Sequence, residues 1–409
     1  MSSSAGSPSG LRPTLLVTLA LLMAAAPIAT DLYLPAFPEM ADEFATTATG
    51  VQLSLTAFMI GAGLGQVVFG PLSDRAGRVR PLLIGTGVYV LASAAAAMAG
   101  SIPWLVAARL VQGISGAAGM VLARAIVSDL TTGREAARAF SLLMLVGGVA
   151  PVVAPLAGSL LAGSIGWRGL LWVVAGIAAI SLLAALCVVR ETLPPAQRAP
   201  RVPGATRADL RRLANRRFLS AALAYAFASG TMLSFISASP FLYQELMGLS
   251  QITFGVLFGL NALALSVVGA LSARLVRKVA PARLARIGLI INLLAILVMA
   301  ALVALEAPVI WLTAPLLVAV ASLGLVMGNT TALALAHTRG ASGLGSAILG
   351  LLQFGLAGVL TPLVSLGREA SAVPMVVTML GASVVANLAF EVSRRAPTPS
   401  QPAPVRVEA

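Results

Sequence analysis

The sequence predicts an all-α polytopic membrane protein with twelve transmembrane helices, arranged as two six-helix bundles related by pseudo-twofold symmetry. Of its 409 residues, 58% are hydrophobic and only 10% are charged, against about 25% charged in a soluble domain. Runs of about 20 apolar residues, long enough to cross ~30 Å of hydrocarbon, recur along nearly the whole chain. Between these runs, the basic residues cluster in alternate loops.

Apolar runs and their polar, Gly and Pro boundaries define the helices. The stretch after Arg12 is too long and too weakly charged at its start for a cleaved signal peptide, so we expect it to be retained as the first helix. The predicted helices span residues 13–35, 51–71, 81–99, 103–128, 136–163, 167–190, 216–244, 251–274, 282–304, 308–336, 342–366 and 372–392.

A polar segment at 191–215 divides the chain into two halves of similar length. It contains four prolines among charged residues and is too polar to cross a membrane. We therefore expect a cytoplasmic linker there, between an N-terminal half at 13–190 and a C-terminal half at 216–392. Cytoplasmic tails are expected at 1–12 and 393–409.

An internal repeat supports this division. The segment Gly70–Arg75 reads GPLSDR, and the segment Gly269–Arg274, 199 residues further on, reads GALSAR, so four of six positions match. Each copy lies at the end of a predicted helix that leads into a basic loop. The repeat indicates parallel duplication of a six-helix unit.

The distribution of basic residues predicts the orientation. Of the 27 Lys and Arg residues, 23 fall in the tails, the linker and every second loop, whereas the opposite loops hold only Arg168 and Arg368. Because positively charged loops stay in the cytoplasm, we expect both termini and the linker to be cytoplasmic. The net charge of +13 is explained by this placement and does not indicate nucleic-acid binding.

The loop at 70–80 reads GPLSDRAGRVR between the second and third predicted helices. It resembles the signature of the major facilitator superfamily of secondary transporters, and this resemblance implies the MFS fold. It also implies a gating motif, in which Asp74 meets the N-terminus of the helix that begins near Ala341 and Asp129 completes an ion-pair cluster. The alternative is a solvated basic loop that only sets orientation. The expected motif residues are Gly70, Asp74, Arg75, Gly77, Arg78 and Asp129.

Two ionisable residues inside predicted helices are candidates for proton coupling, since charges within a membrane are costly and tend to be functional. Asp31 lies in ATDLYLPAFP, which resembles a stretch of the Bcr/CflA drug-efflux subfamily. A half-buried carboxyl can hold a proton and release it when its surroundings change; the alternative is an interfacial acid that faces water. Arg109 lies in RLVQGISGAA, which resembles the superfamily motif of the fourth helix. It either acts on Asp31 or bonds backbone carbonyls of the first helix.

The fifth predicted helix resembles the antiporter motif of efflux transporters. It reads GGVAPVVAPLAG, with Ala150 and Ala154 in place of the glycines that precede proline in that motif. The alternative is a kinked, closely packed helix without an export role. The antiporter-like residues are Gly147, Pro151, Pro155 and Gly158.

The Bcr/CflA resemblance continues at 239–250 and 254–261, so it covers nearly the whole chain. In this fold the pocket wall is expected to come largely from the first, fourth, seventh and tenth helices. The candidate substrate-binding residues suit an apolar, adaptable pocket, although each taken alone is also a plausible packing residue. They are Thr30, Tyr33, Met59, Phe235, Phe258, Asn261, Asn329 and Gln353.

We expect from the resemblance a drug/proton antiporter in the bacterial cytoplasmic membrane. Chloramphenicol-like or bicyclomycin-like compounds are its expected substrates. The sequence has no Walker loop, and its single His337 and single Cys187 exclude a His/Cys metal cluster and an internal disulfide. We expect no enzyme activity, no cofactor and no metal, with protons, a small drug and the lipid bilayer as partners of a monomer. The alternatives are a metabolite transporter of the same fold and a membrane sensor without transport activity.

Overall fold

The computed structural model describes residues 12–198, 213, 215–338, 342–365 and 371–395. In this part of the chain all regular elements are helices. The N-terminal half contains α1 (Pro13–Asp31), α2 (Phe37–Glu43), α3 (Ala48–Ala76), α4 (Val79–Ala97), α5 (Ile102–Leu130) and α6 (Gly133–Val188). The C-terminal half contains α7 (Arg216–Pro240), α8 (Gln251–Leu275), α9 (Pro281–Ala304), α10 (Thr313–Leu335), α11 (Ser342–Leu360) and α12 (Val373–Arg395).

The described residues include 11 helical segments that are long and apolar enough to cross a membrane. The twelfth predicted helix is present within α6, which merges the predicted helices 136–163 and 167–190 across Gly166. At Gly166 φ is +63°, a conformation that glycine adopts readily. The hydroxyl of Thr192, just after α6, donates to Asp129, just before it. Both ends of α6 therefore lie together, and the chain reverses direction at Gly166.

The first predicted helix extends beyond its expected end at residue 35. α1 stops at Asp31, a 3-10 turn follows at Leu34–Ala36, and α2 continues to Glu43. The interruption coincides with Pro35 and Pro38, which lack the N–H groups that a continuous helix requires. The first span thus has a break directly after Asp31.

Helix ends alternate between two ends of the bundle. The starts of α1 and α7, the α3–α4 and α5–α6 loops and the end of α12 lie at one end, which we call the basic end. It carries Arg78, Arg138, Arg216 and Arg394. The opposite end carries Pro35 and Gly166.

Helices α3 and α5 pack closely because glycines bring their backbones together. A Cβ on Gly61 would collide with the carbonyl of Leu110, and one on Gly65 with the carbonyl of Ile114. From the other side, a Cβ on Gly113 would collide with the carbonyl of Phe58. Small residues at helix interfaces permit this approach in membranes, where dispersion contacts stabilise packing.

The two halves meet along two helix pairs, and their central space stays open. Helix α3 contacts α11, where Gly63 lies against Phe354 and Gly350 against Gln66. Helix α6 contacts α8, where Gly255 lies against Ser159. These two seams flank the cavity described below.

The α3–α5 packing predicts a stability difference between two glycine substitutions. Gly113→Ala should lower the melting temperature in detergent, because its methyl group meets the Phe58 carbonyl. Gly87→Ala, in the middle of α4, meets nothing within 4 Å and should be neutral or slightly stabilising, since Ala exceeds Gly in helix propensity by about 1 kcal/mol. Fluorescence-detected size-exclusion chromatography after heating measures both. Equal melting temperatures would contradict this packing.

Candidate functional site

A cavity of about 340 Å³ lies between the two halves. Its wall is almost entirely apolar, with phenylalanine and methionine side chains from both halves. Among the lining residues of the described part, the polar side chains are Thr30, Asp31 and Gln353, and there is no Lys, Arg or His. The larger apolar lining residues are Phe58, Met59, Met120, Met232, Leu233, Phe235, Ile236, Phe258, Leu265 and Phe354.

Asp31 places a carboxyl group in this wall. It is the last residue of α1 and only 4% exposed. The hydroxyl of the preceding Thr30 donates to the carbonyl of Pro27 at 2.8 Å. Within the described residues, no basic side chain comes within 4 Å of the Asp31 carboxylate. The cavity therefore contains one acidic group without a counter-ion.

Arg109 is fully buried on α5 behind the cavity wall. Its guanidinium lies 4.5 Å from the ring centroids of both Tyr33 and Phe58. One terminal nitrogen donates to the side chain of Gln112 at 2.6 Å. The sequence left two alternatives for Arg109, contact with Asp31 or bonds to backbone carbonyls of α1. The partners that the structure gives it are instead two aromatic rings and the Gln112 amide. Cation–π attraction stabilises the cation where water is absent.

Five of the expected substrate-binding residues line the cavity, and three do not. Thr30, Met59, Phe235, Phe258 and Gln353 belong to the wall. The residues outside the wall are Tyr33, Asn261 and Asn329.

These three residues bond within the protein interior instead. The Tyr33 hydroxyl is 3.0 Å from the hydroxyl of Ser54. Asn261 donates to the carbonyl of Leu257, one turn back on α8, at 2.8 Å. Asn329 donates to the hydroxyl of Ser272 at 2.9 Å and so joins α10 to α8. Tyr33 and Asn329 thus bond to neighbouring helices, as buried polar groups usually find partners, whereas Asn261 bonds its own helix and its Oδ1 has no partner among the described residues.

The antiporter-like segment of α6 contributes to both the wall and its support. Gly147 and Pro151 line the cavity. A Cβ on Gly158 would collide with the carbonyl of Leu32, so this glycine lets α6 approach the break after α1. The hydroxyl of Ser159 donates to the carbonyl of Pro155, one turn earlier on α6, at 2.8 Å.

At the end opposite the basic end, the halves close over the cavity. The carbonyl of Pro35 accepts from the side-chain amide of Gln244 at 3.0 Å. The side-chain amide of Gln52 donates to the carbonyl of Ser237 at 3.1 Å. The rings of Phe37 and Phe241 lie 6.2 Å apart between these contacts.

At the basic end, Arg78 joins the ends of α3 and α5. Its guanidinium donates to Asp74 at 2.6 Å, to Asp129 at 2.9 Å and to the hydroxyl of Ser73 at 2.9 Å. Burial alone would lower the pKa of Arg78, but the bonds and negative charges of Asp129 and Asp74 outweigh burial and raise it. The ion pair with Asp129 expected from the sequence is therefore present. Arg75 is exposed.

Two other expectations for the gating motif have different outcomes. A Cβ on Gly70 would meet no described atom within 4 Å outside the local helix backbone, so no other element lies against this glycine on that side. The start of a helix near Ala341, the expected partner of Asp74, falls at 339–341, outside the described residues. Asp74 pairs with Arg78 in the described part.

Sequence reasoning missed Glu191, which links the start of the interdomain linker to this cluster. Its carboxylate accepts from the backbone N–H of Arg78 at 2.8 Å, of Leu193 at 3.0 Å and of Val79 at 3.4 Å. Partial burial alone would raise the pKa of Glu191, but these bonds and nearby Arg198 lower it. A carboxylate at the N-terminus of α4 also interacts favourably with the positive end of the helix dipole. The sequence signal that could have identified Glu191 is an acidic residue directly after a long apolar run.

Comparison with known proteins identifies the family. The family model described as Major Facilitator Superfamily matches residues 19–362. The chain belongs to the Major Facilitator Superfamily.

Individual relatives match over nearly the full length. The chain is 36% identical over 382 residues to the uncharacterized MFS-type transporter YdgK of Bacillus subtilis (strain 168), covering 93% of this chain and 95% of the relative. It is 28% identical over 382 residues to a bicyclomycin resistance protein homolog of Haemophilus influenzae, covering 92% and 94%. The resemblance to the Bcr/CflA subfamily is thereby confirmed.

A solved structure shows the same fold. A bacterial homolog to the human lysosomal transporter Spinster, in an inward-facing and unoccupied conformation, matches with a TM-score of 0.71 and 19% identity. The match covers 94% of this chain and 98% of that chain. The predicted MFS fold is confirmed.

The contact between Glu191 and the superfamily's signature loop predicts a difference between two glycines. Gly77 has φ +87°, and an added Cβ would collide with the Glu191 carboxylate. Gly248 has φ +65°, with nothing within 4 Å of an added Cβ. Both alanine substitutions incur backbone strain of about 1–3 kcal/mol, but only Gly77→Ala should also release the linker.

Limited proteolysis and melting temperature test this difference. We expect Gly77→Ala to be cut faster in the linker than Gly248→Ala and to melt at a lower temperature. Equal linker cleavage in both variants would show that Glu191 does not hold the linker.

Proposed function

We propose that the protein exports small amphipathic drugs across the bacterial cytoplasmic membrane in exchange for protons. The observation that carries the proposal is the apolar cavity between the halves, whose described lining contains Asp31 as its one carboxylate. Membership of a transporter superfamily and a relative named for bicyclomycin resistance support it. Chloramphenicol-like and bicyclomycin-like compounds are the substrates we would test first.

The chemistry of the wall favours drugs over polar metabolites. Sugars and amino acids need several hydrogen-bonding or charged partners, because their polar groups lose water on binding. Among the described lining residues, only Thr30, Asp31 and Gln353 offer such partners. Flexible methionines such as Met59 and Met120 fit apolar bodies of different shapes. We therefore favour an exporter of apolar or amphipathic compounds over a metabolite transporter.

Asp31 is the proposed proton site. Its carboxyl lies at the break between α1 and α2, where the surroundings can change when the halves move. A group that is alternately shielded and hydrated binds and releases protons at different values of pH. Protons and substrate would thus use the same cavity in turn. Arg109 would act indirectly, by holding Tyr33 beside this break.

The two ends of the cavity are the proposed gates. With the basic end in the cytoplasm, as the positive-inside rule indicates, the contacts of Pro35 and Phe37 would form the outer gate. The Arg78–Asp129 cluster would support the inner gate. We propose a monomer that needs no cofactor, no metal and no nucleic acid, with the proton gradient as its energy source.

A substitution of Asp31 separates binding from coupling. Asp31→Asn keeps the side-chain volume but removes the titrating group, so substrate should still bind while uphill export stops. The matched control is Asp42→Asn, the same change at an exposed position at the end of α2, which should export like the wild type. Efflux of bicyclomycin or chloramphenicol from proteoliposomes with an imposed pH gradient measures this. Full gradient-driven efflux by Asp31→Asn would refute the assignment.

A single carboxylate also predicts how transport responds to voltage. Exchange of one proton for a neutral drug moves one charge, worth about 2.3 kcal/mol per 100 mV. Neutral drugs should therefore be pumped better than dications, whose exchange for one proton runs against the potential. Uptake into inverted vesicles, with the potential and the pH gradient collapsed separately, measures this. Neutral export that ignores the potential would contradict a one-proton cycle.

A further inference from the structure

Arg124 is a charged residue inside a membrane-spanning helix that the proposed cycle does not use. It lies on α5, within the span Ile102–Leu130, and its side chain is exposed. Its Nε donates to the carbonyl of Met120 at 3.0 Å. In the described part of the chain, no carboxylate lies within 4 Å of it, and its terminal nitrogens have no hydrogen-bond partner.

Along α5, Arg124 lies on the side of the cavity that leads to the basic end, and we call this region the entrance. Met120, to which it bonds, lines the cavity, and Asp129 of the Arg78 cluster lies five residues further on. Five helical residues correspond to about 7.5 Å along the axis. Arg124 therefore lies between the cavity and the basic end.

A residue of the other half faces Arg124 across this entrance. Tyr225 of α7 is close enough for its hydroxyl and the Arg124 charge to interact electrostatically. The same hydroxyl donates to the side chain of Gln353 at 2.7 Å, and Gln353 lines the cavity. The entrance thus has a guanidinium whose terminal nitrogens are unbonded among the described residues on one side, and a tyrosine–glutamine pair on the other.

Ionisable side chains within membrane-spanning helices are rare and tend to be functional. The planar set of donors of the Arg124 guanidinium matches the two oxygens of a carboxylate and also suits sulfonates and phosphates. A positive potential at the mouth would also attract anions and repel cations before they reach the wall. These properties fit a binding group, whereas a purely structural arginine would be expected to use its terminal donors within the protein.

We propose that Arg124 binds the anionic group of an amphipathic substrate at this entrance, while the apolar part of the substrate lies in the cavity. Monoanionic amphiphiles with a carboxylate or sulfonate would then be a further substrate class, beside the neutral drugs of the proposed function. This inference rests on the proposed function, because it assumes that the cavity takes amphipathic compounds. Asp31, at the closed end, stays free to exchange its proton.

A pair of probes that differ only in charge tests this site. 1-Naphthoic acid, ionised at neutral pH, and 1-naphthamide have the same ring system. Their affinities are measured by isothermal titration of the full chain in phosphatidylcholine nanodiscs, with empty discs subtracted. The variants are Arg124→Gln, Arg124→Lys and, as the matched control, Arg138→Gln, which removes an exposed arginine at the same end.

The wild type should bind naphthoate more tightly than naphthamide. Arg124→Gln should weaken the binding of naphthoate about tenfold, because one charge-assisted hydrogen bond is lost. The affinity for naphthamide should change by less than about twofold. Arg124→Lys should fall between, and Arg138→Gln should match the wild type. Naphthoate binding to the wild type should weaken with added salt, since anions compete for the guanidinium, which tests the site even if Arg124→Gln does not fold.

Several results would overturn the site. Equal effects of Arg124→Gln on both probes would make Arg124 structural, and salt-independent naphthoate binding by the wild type would exclude an ionic contact. If phosphatidylglycerol in the disc abolishes the preference for naphthoate, a lipid phosphate and not the substrate occupies Arg124. Naphthamide binding without a preference for naphthoate refutes only this inference. Failure of both probes to bind would also refute the proposed amphiphile cavity.

Discussion

The unwound end of α1 is held by a buried cation between two aromatic rings. Arg109 of α5 lies between Tyr33, which follows α1, and Phe58 of α3. A desolvated cation–π contact contributes about 2 kcal/mol or more, and here two rings share one guanidinium. Asp31 is only two residues before Tyr33, so the site of its carboxyl depends on this three-helix contact. The glycines that bring α3 and α5 together make the same contact possible.

The protein separates its charges by location. The Arg78–Asp74–Asp129 group lies at the basic end, where the hydroxyls of Ser73 and Thr192 and the partial exposure of Asp74 help to satisfy it. Among the described residues, Asp31 in the cavity wall and Arg124 nearer the basic end have no ion-pair partner. Arg109 has none either, and aromatic rings and an amide stabilise it instead.

The sequence predicted the fold well, because apolar length and loop charge are imposed by the bilayer itself. It also predicted residues of the cavity wall such as Thr30 and Phe235, since the family resemblance assigns the first and seventh helices to that wall. It did not predict Asn261 correctly, because an amide in an apolar helix can face a ligand or a neighbouring carbonyl, and composition does not distinguish the two. The roles of Arg109 and Glu191 were beyond its reach, since both depend on contacts between distant segments.

The hydrogen bond at Pro35 limits which mutations can weaken the closed end of the cavity. The acceptor for Gln244 is a main-chain carbonyl, which every amino acid at position 35 would possess. Mutation can therefore remove this bond only from the amide side, or by moving the backbone. Gln251, 3.5 Å from the same oxygen, is a second donor that can take over. A substitution at position 244 or 251 thus leaves the other glutamine as a donor to Pro35. Substitutions at these positions can change how strongly the two halves bind at this end without altering the cavity wall.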